Sequence, residues 1–396
     1  MRPLLGLAAV NFFLADVQGG LGPFLATWLA QAAHWDPARV GLVMTISGLA
    51  GLVCNTPAGA LVDRSMRPRC WVAASAVATV AGSLALLPAR GFAAVLAAQL
   101  AAAAGGALLA PALVAMTLAL VGKARFPTQQ SRNQAWNHAG NVAAAAAVAA
   151  ATFVLGARSA FWVMGGMAAA SGVSLLLIPA AAIDPERASG HARGAANESL
   201  RSTLADRRLM ALGFGLLLFH LGNAAMLPLL GERMAALGHG NPTRWLAICV
   251  VVAQATMVPV ALLAGRAAGR VNVGWLFLAS CAVLPVRGVL AALAQDPGWL
   301  VPIQILDACG AGTQGVAIPI LVADYTWGSG RTQTALGVVG TLQGIGAALS
   351  TTLGGVLATS VGWGAAFIGL TVPAVFAVAL AIRLVAARPA SAPAPG

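Results

Sequence analysis

Two charges stand where charges are costly. Asp307 lies inside an apolar run at 299–323, and Arg287 inside another at 275–294. A charged side chain at the bilayer centre costs about 2.5–3.5 kcal/mol on insertion scales, so each should face protein or water and have a partner or a task. Gln304, Asp307 and Gln314 fall at i, i+3 and i+10, on one face of a helix. Gly310 and Ala311 leave room beside them. Arg287, in the neighbouring apolar run, is the natural partner for Asp307. A purely structural ion pair between neighbouring helices explains the same two residues equally well.

Other polar side chains interrupt the apolar runs in groups. Near the amino end, Asn11 and Gln18 share a helical face at i, i+7, while Asp16 points about 140° away from Asn11 at the α-helical repeat. An acid held within the membrane is typical of proton carriers; the alternative is that Asp16 bonds to a neighbouring helix. Gln134, Asn137, His138 and Asn141 form one polar face, with an imidazole suited to titration near neutrality. Interhelical hydrogen bonding is the plainer use for that face. His220 and Asn223 are i, i+3, with Met226 nearby. His and Met can hold a soft metal, but HxxxM and MxxxM pairs are missing, so a cavity-lining polar pair or simple packing is expected, with no metal and no cofactor.

The elements that must position these residues follow from composition. Of 396 residues, 59% are hydrophobic and 9% charged, with a mean hydropathy of +0.84. Soluble domains carry about 25% charged residues, so the chain reads as a polytopic, all-α membrane protein. At roughly 20 residues per span, its length suits about twelve transmembrane helices. The expected spans are 4–32, 40–62, 71–89, 92–122, 134–155, 160–182, 209–230, 245–268, 275–294, 299–323, 335–360 and 365–387. The first run is too long for a cleavable signal peptide and contains Asp16, so it is expected to stay as the first span. The five cysteines form no CxxC pair and read as small core residues.

The net charge of +12 does not mark a nucleic-acid partner. Arg39, Arg90, Arg158, Arg233 and Arg244 fall on one side of the proposed membrane and Arg287 inside it, while the remaining Lys and Arg lie on the other. That bias is a positive-inside topology signal with an affinity for lipid headgroups. It places both termini in the cytoplasm.

One loop on that side stands out. Residues 59–69, GALVDRSMRPR, join the second and third spans. The pattern Gly59-x-Leu61-x-Asp63-Arg64-x-x-Arg67 resembles the signature loop of the major facilitator superfamily. Met66 stands where that family usually has glycine, and Pro68 where it has a second basic residue. The resemblance implies an arrangement of two pseudosymmetric six-helix bundles. It also implies that Gly59, Asp63, Arg64 and Arg67 gate the conformation by tying the bundles together in one state. An ordinary positively charged loop is the alternative. The resemblance further implies that spans 1, 4, 7 and 10 line a central cavity, which makes Asp307 the first candidate for a substrate-binding or protonatable group.

The two halves show traces of a repeat. Aligning Pro23 with Pro228 sets Gln18 on Asn223, and aligning Pro111 with Pro319 sets Gln99 on Asp307. The polar stretch 184–208 is the longest linker and divides the spans evenly. The expected organisation is therefore a bundle at 1–183, a linker at 184–208, a second bundle at 209–387 and a disordered Pro/Ala/Ser-rich tail at 388–396. Residues 199–208 are candidates for a short surface helix.

Enzyme signatures do not occur: the chain has no GxxxxGK[ST] phosphate loop, no GxSxG and no HExxH. Nor does the fifth span, AGNVAAAAAVAAATFVLG, contain the proline usual in drug–proton antiporters of the family. The expected function is secondary active transport of a small organic molecule across the cell inner membrane, by alternating access. It should be proton-coupled and directed outward, with a monomer as the working unit. Uptake of a metabolite or metal chelate is the alternative within the same fold. A non-transporting scaffold or sensor is the alternative outside it, although a scaffold has little use for Asp16, Asp307 and Arg287 in lipid.

Overall fold

A computed structural model describes residues 2–19, 21, 25, 28–29, 35–65, 67–89, 91–190, 200–239 and 242–386. Residues 191–199 of the linker and the tail at 388–396 lie outside the described residues. Among those described, nine helices are long and apolar enough to cross a membrane, and Arg2–Phe13 is a shorter apolar helix. Large apolar side chains point outward from them, with Phe153 93% and Val53 74% exposed. In water such surface is unfavourable; in lipid it is the expected exterior, because a helix satisfies its own backbone groups and lipid solvates its side chains.

The chain divides into two compact units. The first is Met1–Leu200 with Thr326–Thr341, and the second is Arg201–Tyr325 with Leu342–Gly396. The first unit contains α1 (Arg2–Phe13), α2 (Ala15–Gly19), α3 (Pro37–Ser65), α4 (Pro68–Leu84), α5 (Gly91–Leu155), α6 (Ser159–Leu176) and the short α7 (Pro185–Ala188). It also takes the first turns of α14 (Thr332–Val361). The second contains α8 (Leu200–Ala205, whose first residue falls at the boundary), α9 (Arg207–Asn223), α10 (Met226–Ala236), α11 (Pro242–Ala268), α12 (Val273–Leu293) and α13 (Leu300–Thr326). The rest of α14 and α15 (Trp363–Ala386) complete it.

The first expected span is interrupted: the helix turns at Leu14 between α1 and α2. The fourth and fifth expected spans differ more. Residues 123–133 read as a polar loop, yet they are helical, and α5 runs for 65 residues. Sixty-five residues rise about 98 Å, enough for two crossings of a ~30 Å hydrocarbon core. The division falls at Gly122, whose φ of 67° and ψ of 174° leave the helix for a single residue. Only glycine takes that left-handed backbone without strain. Beyond it Arg125, Thr128 and Arg132 are exposed, but Gln129, Gln130, Ser131 and Asn133 are buried. Gln129 Nε2 donates to Asn133 Oδ1 at 2.9 Å, and Asn133 Nδ2 donates to Thr117 Oγ1 at 2.8 Å. That chain of bonds explains why a stretch with a loop's composition stays helical.

Inside the first unit, α4 and α5 lie close together. Ser75 Oγ donates to the Gly105 carbonyl at 2.7 Å. The apolar core gathers Leu7, Val10 and Leu14 against Phe161, Met164 and Ile178.

In the second unit, α9 breaks into α10 at Ala224–Ala225, and Ser350 Oγ of α14 accepts the Ala225 N–H at 2.9 Å. Arg233 on α10 donates through Nη1 to the carbonyls of Ala291 and Ala292, at 2.6 and 3.0 Å. Those are orphan carbonyls at the end of α12, and a cation there is favoured by the helix dipole.

A close crossing in the first unit joins α3 to the start of α14. A Cβ on Gly59 would overlap the carbonyl of Gln333, and one on Gly337 would overlap that of Asn55. Gly59→Ala should therefore cost roughly 1–3 kcal/mol, the usual penalty of overpacking against atoms that do not yield. Gly41→Ala is the control, since nothing lies within 4 Å of its added Cβ. Thermal unfolding in detergent should show a clear drop for the first and none for the second. Equal melting temperatures would mean that this crossing is slack.

Candidate functional site

The buried charges converge in the second unit. Arg287 of α12 is 1% exposed, and its Nη1 lies 2.8 Å from Asp307 Oδ1 on α13. The same Nη1 donates to Asn223 Oδ1 of α9 at 2.5 Å. Gln304 is fully buried one turn before Asp307, and its Nε2 donates to Asp307 Oδ2 at 3.2 Å. The pairing expected between Arg287 and Asp307 is thus present, and Asn223 and Gln304 join it. His220, one turn from Asn223, neighbours Gln314 and Asp307.

This network is incompletely satisfied. Arg287 Nε, Arg287 Nη2 and Gln304 Oε1 are buried and have no hydrogen-bond partner among the described residues. Each such group costs about 1–3 kcal/mol when left unmade. The crevice beside them, lined by Phe219, Ser280, Leu284, Leu306 and Gly310 among others, is too tight to admit a water molecule. Chemically the arrangement can hold one proton on a carboxylate that faces a guanidinium.

The first unit holds a wider cavity of about 350 Å³. Gln18, Gln99, Ser47, Thr79 and Ser83 supply its polar groups, and no charged side chain lines it among the described residues. Thr79 Oγ1 is buried without a partner among those residues. The two amides expected from the repeat, Gln18 and Gln99, therefore meet in one cavity. Asn11 does not join them: its Nδ2 donates to Leu7 O of its own helix at 2.8 Å. Asp16 is half-buried on α2, two residues before Gln18. Asn137 and His138 are buried on α5, and Asn141 Nδ2 reaches Asn137 Oδ1 at 3.4 Å.

The signature loop makes a different kind of site. Asp63 is 7% exposed at the end of α3. Its Oδ1 accepts the backbone N–H of Gln333 at 3.0 Å. Its Oδ2 accepts the backbone N–H and the hydroxyl of Thr334, each at 2.7 Å. Asp63 thereby does for α14 what an N-cap side chain does, from another helix. The first N–H groups of any helix lack internal partners, and a negative charge there is favoured by the helix dipole. The turn after α7 contributes as well: Ser189 O accepts Thr332 N at 3.3 Å, and Ala188 O accepts Gln333 Nε2 at 3.0 Å. Arg64 and Arg67 are exposed, and among the described residues neither hydrogen-bonds to these groups. Sequence reading finds Asp63 but misses Gln333 and Thr334. Their only signal is a Thr-Gln-Thr run opening a helix after Ser329-Gly330-Arg331.

Comparison with known proteins decides the family. A family model for the Major Facilitator Superfamily matches residues 7–326. The chain belongs to that superfamily. Two Mycobacterium tuberculosis proteins, from strains CDC 1551 / Oshkosh and ATCC 25618 / H37Rv, are each named as an uncharacterized MFS-type transporter. Each is 41% identical over 374 residues, spanning 93% of this chain and 90% of its own. Among solved structures, the MFS transporter FucP in its outward conformation superposes with a TM-score of 0.75 at 15% identity, covering 96% of this chain and 98% of its own. A bacterial homologue of the iron transporter ferroportin, outward-facing, gives 0.74 at 12% identity, covering 97% and 98%. At such identities these likenesses establish the fold alone. The chain is an all-α, multi-pass membrane transporter with the MFS arrangement of twelve helices.

Proposed function

We propose that this MFS transporter couples the movement of a small organic molecule to protons and exports it across the cell inner membrane. Both termini lie in the cytoplasm, and a single chain is the working unit. Residues 1–183 and 209–387 are the two halves that rock in alternating access. The observation that carries this reading is the buried Arg287–Asp307 pair with its unsatisfied Nε, Nη2 and Gln304 Oε1. Packing alone gives no reason to keep two charges and three unpaired polar atoms in the core of a membrane helix bundle. In a transport cycle Asp307 takes up and releases the proton, while Arg287, Asn223 and Gln304 hold it or a polar group of the substrate. His220 and Gln314 extend the same polar face.

The neutral cavity bearing Gln18 and Gln99 suits an uncharged, hydrogen-bonding part of the substrate. Asp16 is the second proton candidate; Asn137, His138 and Asn141 are the remaining polar candidates. Gly59, Asp63, Arg64 and Arg67 are proposed to gate the cycle.

The test is a screen of small molecules in proteoliposomes with an imposed pH gradient. Purified protein should accumulate at least one of them only when the gradient is present. Asp16→Asn should lower that rate at least tenfold and flatten its dependence on external pH. If the Asp16→Asn protein keeps both rate and pH profile, Asp16 has no part in coupling.

A further inference from the structure

We propose that a groove on the first unit, at the level where α3 meets α4, is a binding site for one anionic phospholipid of the bilayer. The groove measures about 560 Å³ and lies between the start of α4, the end of α6 and the turn leading into α7. Its mouth carries Arg67, the N-cap residue of α4, and Arg69 in the first turn. Its wall is apolar: Ala73 from α4, Leu175 and Leu176 from α6, and Ile183 beyond.

Three observations choose the occupant. The first is charge. Neither guanidinium has an ion-pair partner among the described residues, and no acidic side chain among them lines the groove. The nearby carboxylate of Asp184 is already engaged, with Arg187 Nε at 2.9 Å and the N–H groups of Glu186 and Arg187 at 3.1 and 3.4 Å. The second is polarity. The cationic end sits at a helix junction, where a chain crossing a membrane meets the headgroups, and the apolar wall continues along α4 and α6 into the span. A free phosphate would use the first feature and leave the second bare. The third is exposure. Leu176 is 72% exposed, a side chain that belongs against an acyl chain. Basic pockets between membrane helices take anionic headgroups, each arginine adding about fivefold in affinity at the surface.

The experiment is native mass spectrometry of the full chain released from nanodiscs of mixed phosphatidylglycerol and phosphatidylcholine. The parent should retain one phosphatidylglycerol in preference to phosphatidylcholine, and excess inorganic phosphate should not displace it. Arg67→Gln with Arg69→Gln should cut the retained phosphatidylglycerol about thirtyfold. Leu176→Trp, which keeps both arginines and narrows the groove, should also reduce it. A second readout needs no substitution. Cys70 lines the groove and is exposed, so phosphatidylglycerol should slow its labelling by maleimide, read by peptide mass spectrometry. The slowing should vanish in the double Gln variant. Equal retention of the two lipids, displacement by inorganic phosphate, or Cys70 labelling at one rate in both lipids would overturn the proposal.

Discussion

Asp307→Asn should destabilise the second unit by about 3–5 kcal/mol, the cost of breaking a buried ion pair by removing one partner. The size follows from which charge is left behind. A guanidinium does not lose its proton in proteins, so Arg287, 1% exposed, would stay charged with only neutral amides, those of Asn223 and Gln304 among them, around it. Arg287→Gln should cost less, because a carboxylic acid left alone can take up a proton. Exchanging both residues for apolar ones of similar volume, Arg287→Met with Asp307→Leu, should recover most of the lost stability, as replacement of buried ion pairs by packed side chains often does. The melting temperatures should rank parent and double variant together, Arg287→Gln below them and Asp307→Asn lowest. A double variant as unstable as Asp307→Asn would show that the site depends on the charges for folding itself.

The second large effect is expected at Asp63. Replacing it with alanine removes two backbone bonds and one hydroxyl bond from the start of α14. Hydrogen bonds to charged groups contribute about 1.5–3 kcal/mol each, and their sum is not additive where they share one carboxylate. A loss of about 3 kcal/mol is expected, which opens the first turn of α14 roughly a hundredfold more often. Amide exchange over residues 332–336 should speed up by about that factor. The remainder of α14, from Leu342 on, belongs to the second unit and should be unaffected. Asp63→Asn should fall in between, because its amide offers one acceptor where the carboxylate offers two. Thr334→Val removes only the hydroxyl bond and should give the smallest change. Unchanged exchange in Asp63→Ala would mean that Ser189 and Ala188 anchor α14 without it.

What can be read from residue order alone divides along a physical line. Membrane solvation acts on composition, so the apolar runs, the lone charges within them and the basic bias of one side are legible. Asp307 and Arg287 are legible as a pair because two opposite charges in neighbouring spans have few other partners to choose. Asp63 is legible through its loop, but the groups that it holds are 270 and 271 residues away, and no local pattern records a contact of that range.

The stretch 123–133 misleads for the opposite reason. Its composition is that of a wet loop, with Lys123, Arg125, Pro127 and several amides, and only the tertiary bonds from Asn133 to Thr117 show why it stays helical. Asn11 misleads too, since helical spacing from Gln18 says nothing about the break at Leu14 or about a side chain that turns back to its own helix. Nor can spacing show that α14 begins within one unit and ends in the other.

The claim on which the account rests is that the Arg287–Asp307 pair is kept for transport and not for folding. The Arg287→Met, Asp307→Leu double variant tests it most directly, assayed in proteoliposomes with an imposed pH gradient and a substrate that the parent accumulates. The account predicts protein that melts within a few degrees of the parent and transports at less than one-hundredth of its rate. A double variant that folds and still transports within twofold of the parent would contradict it.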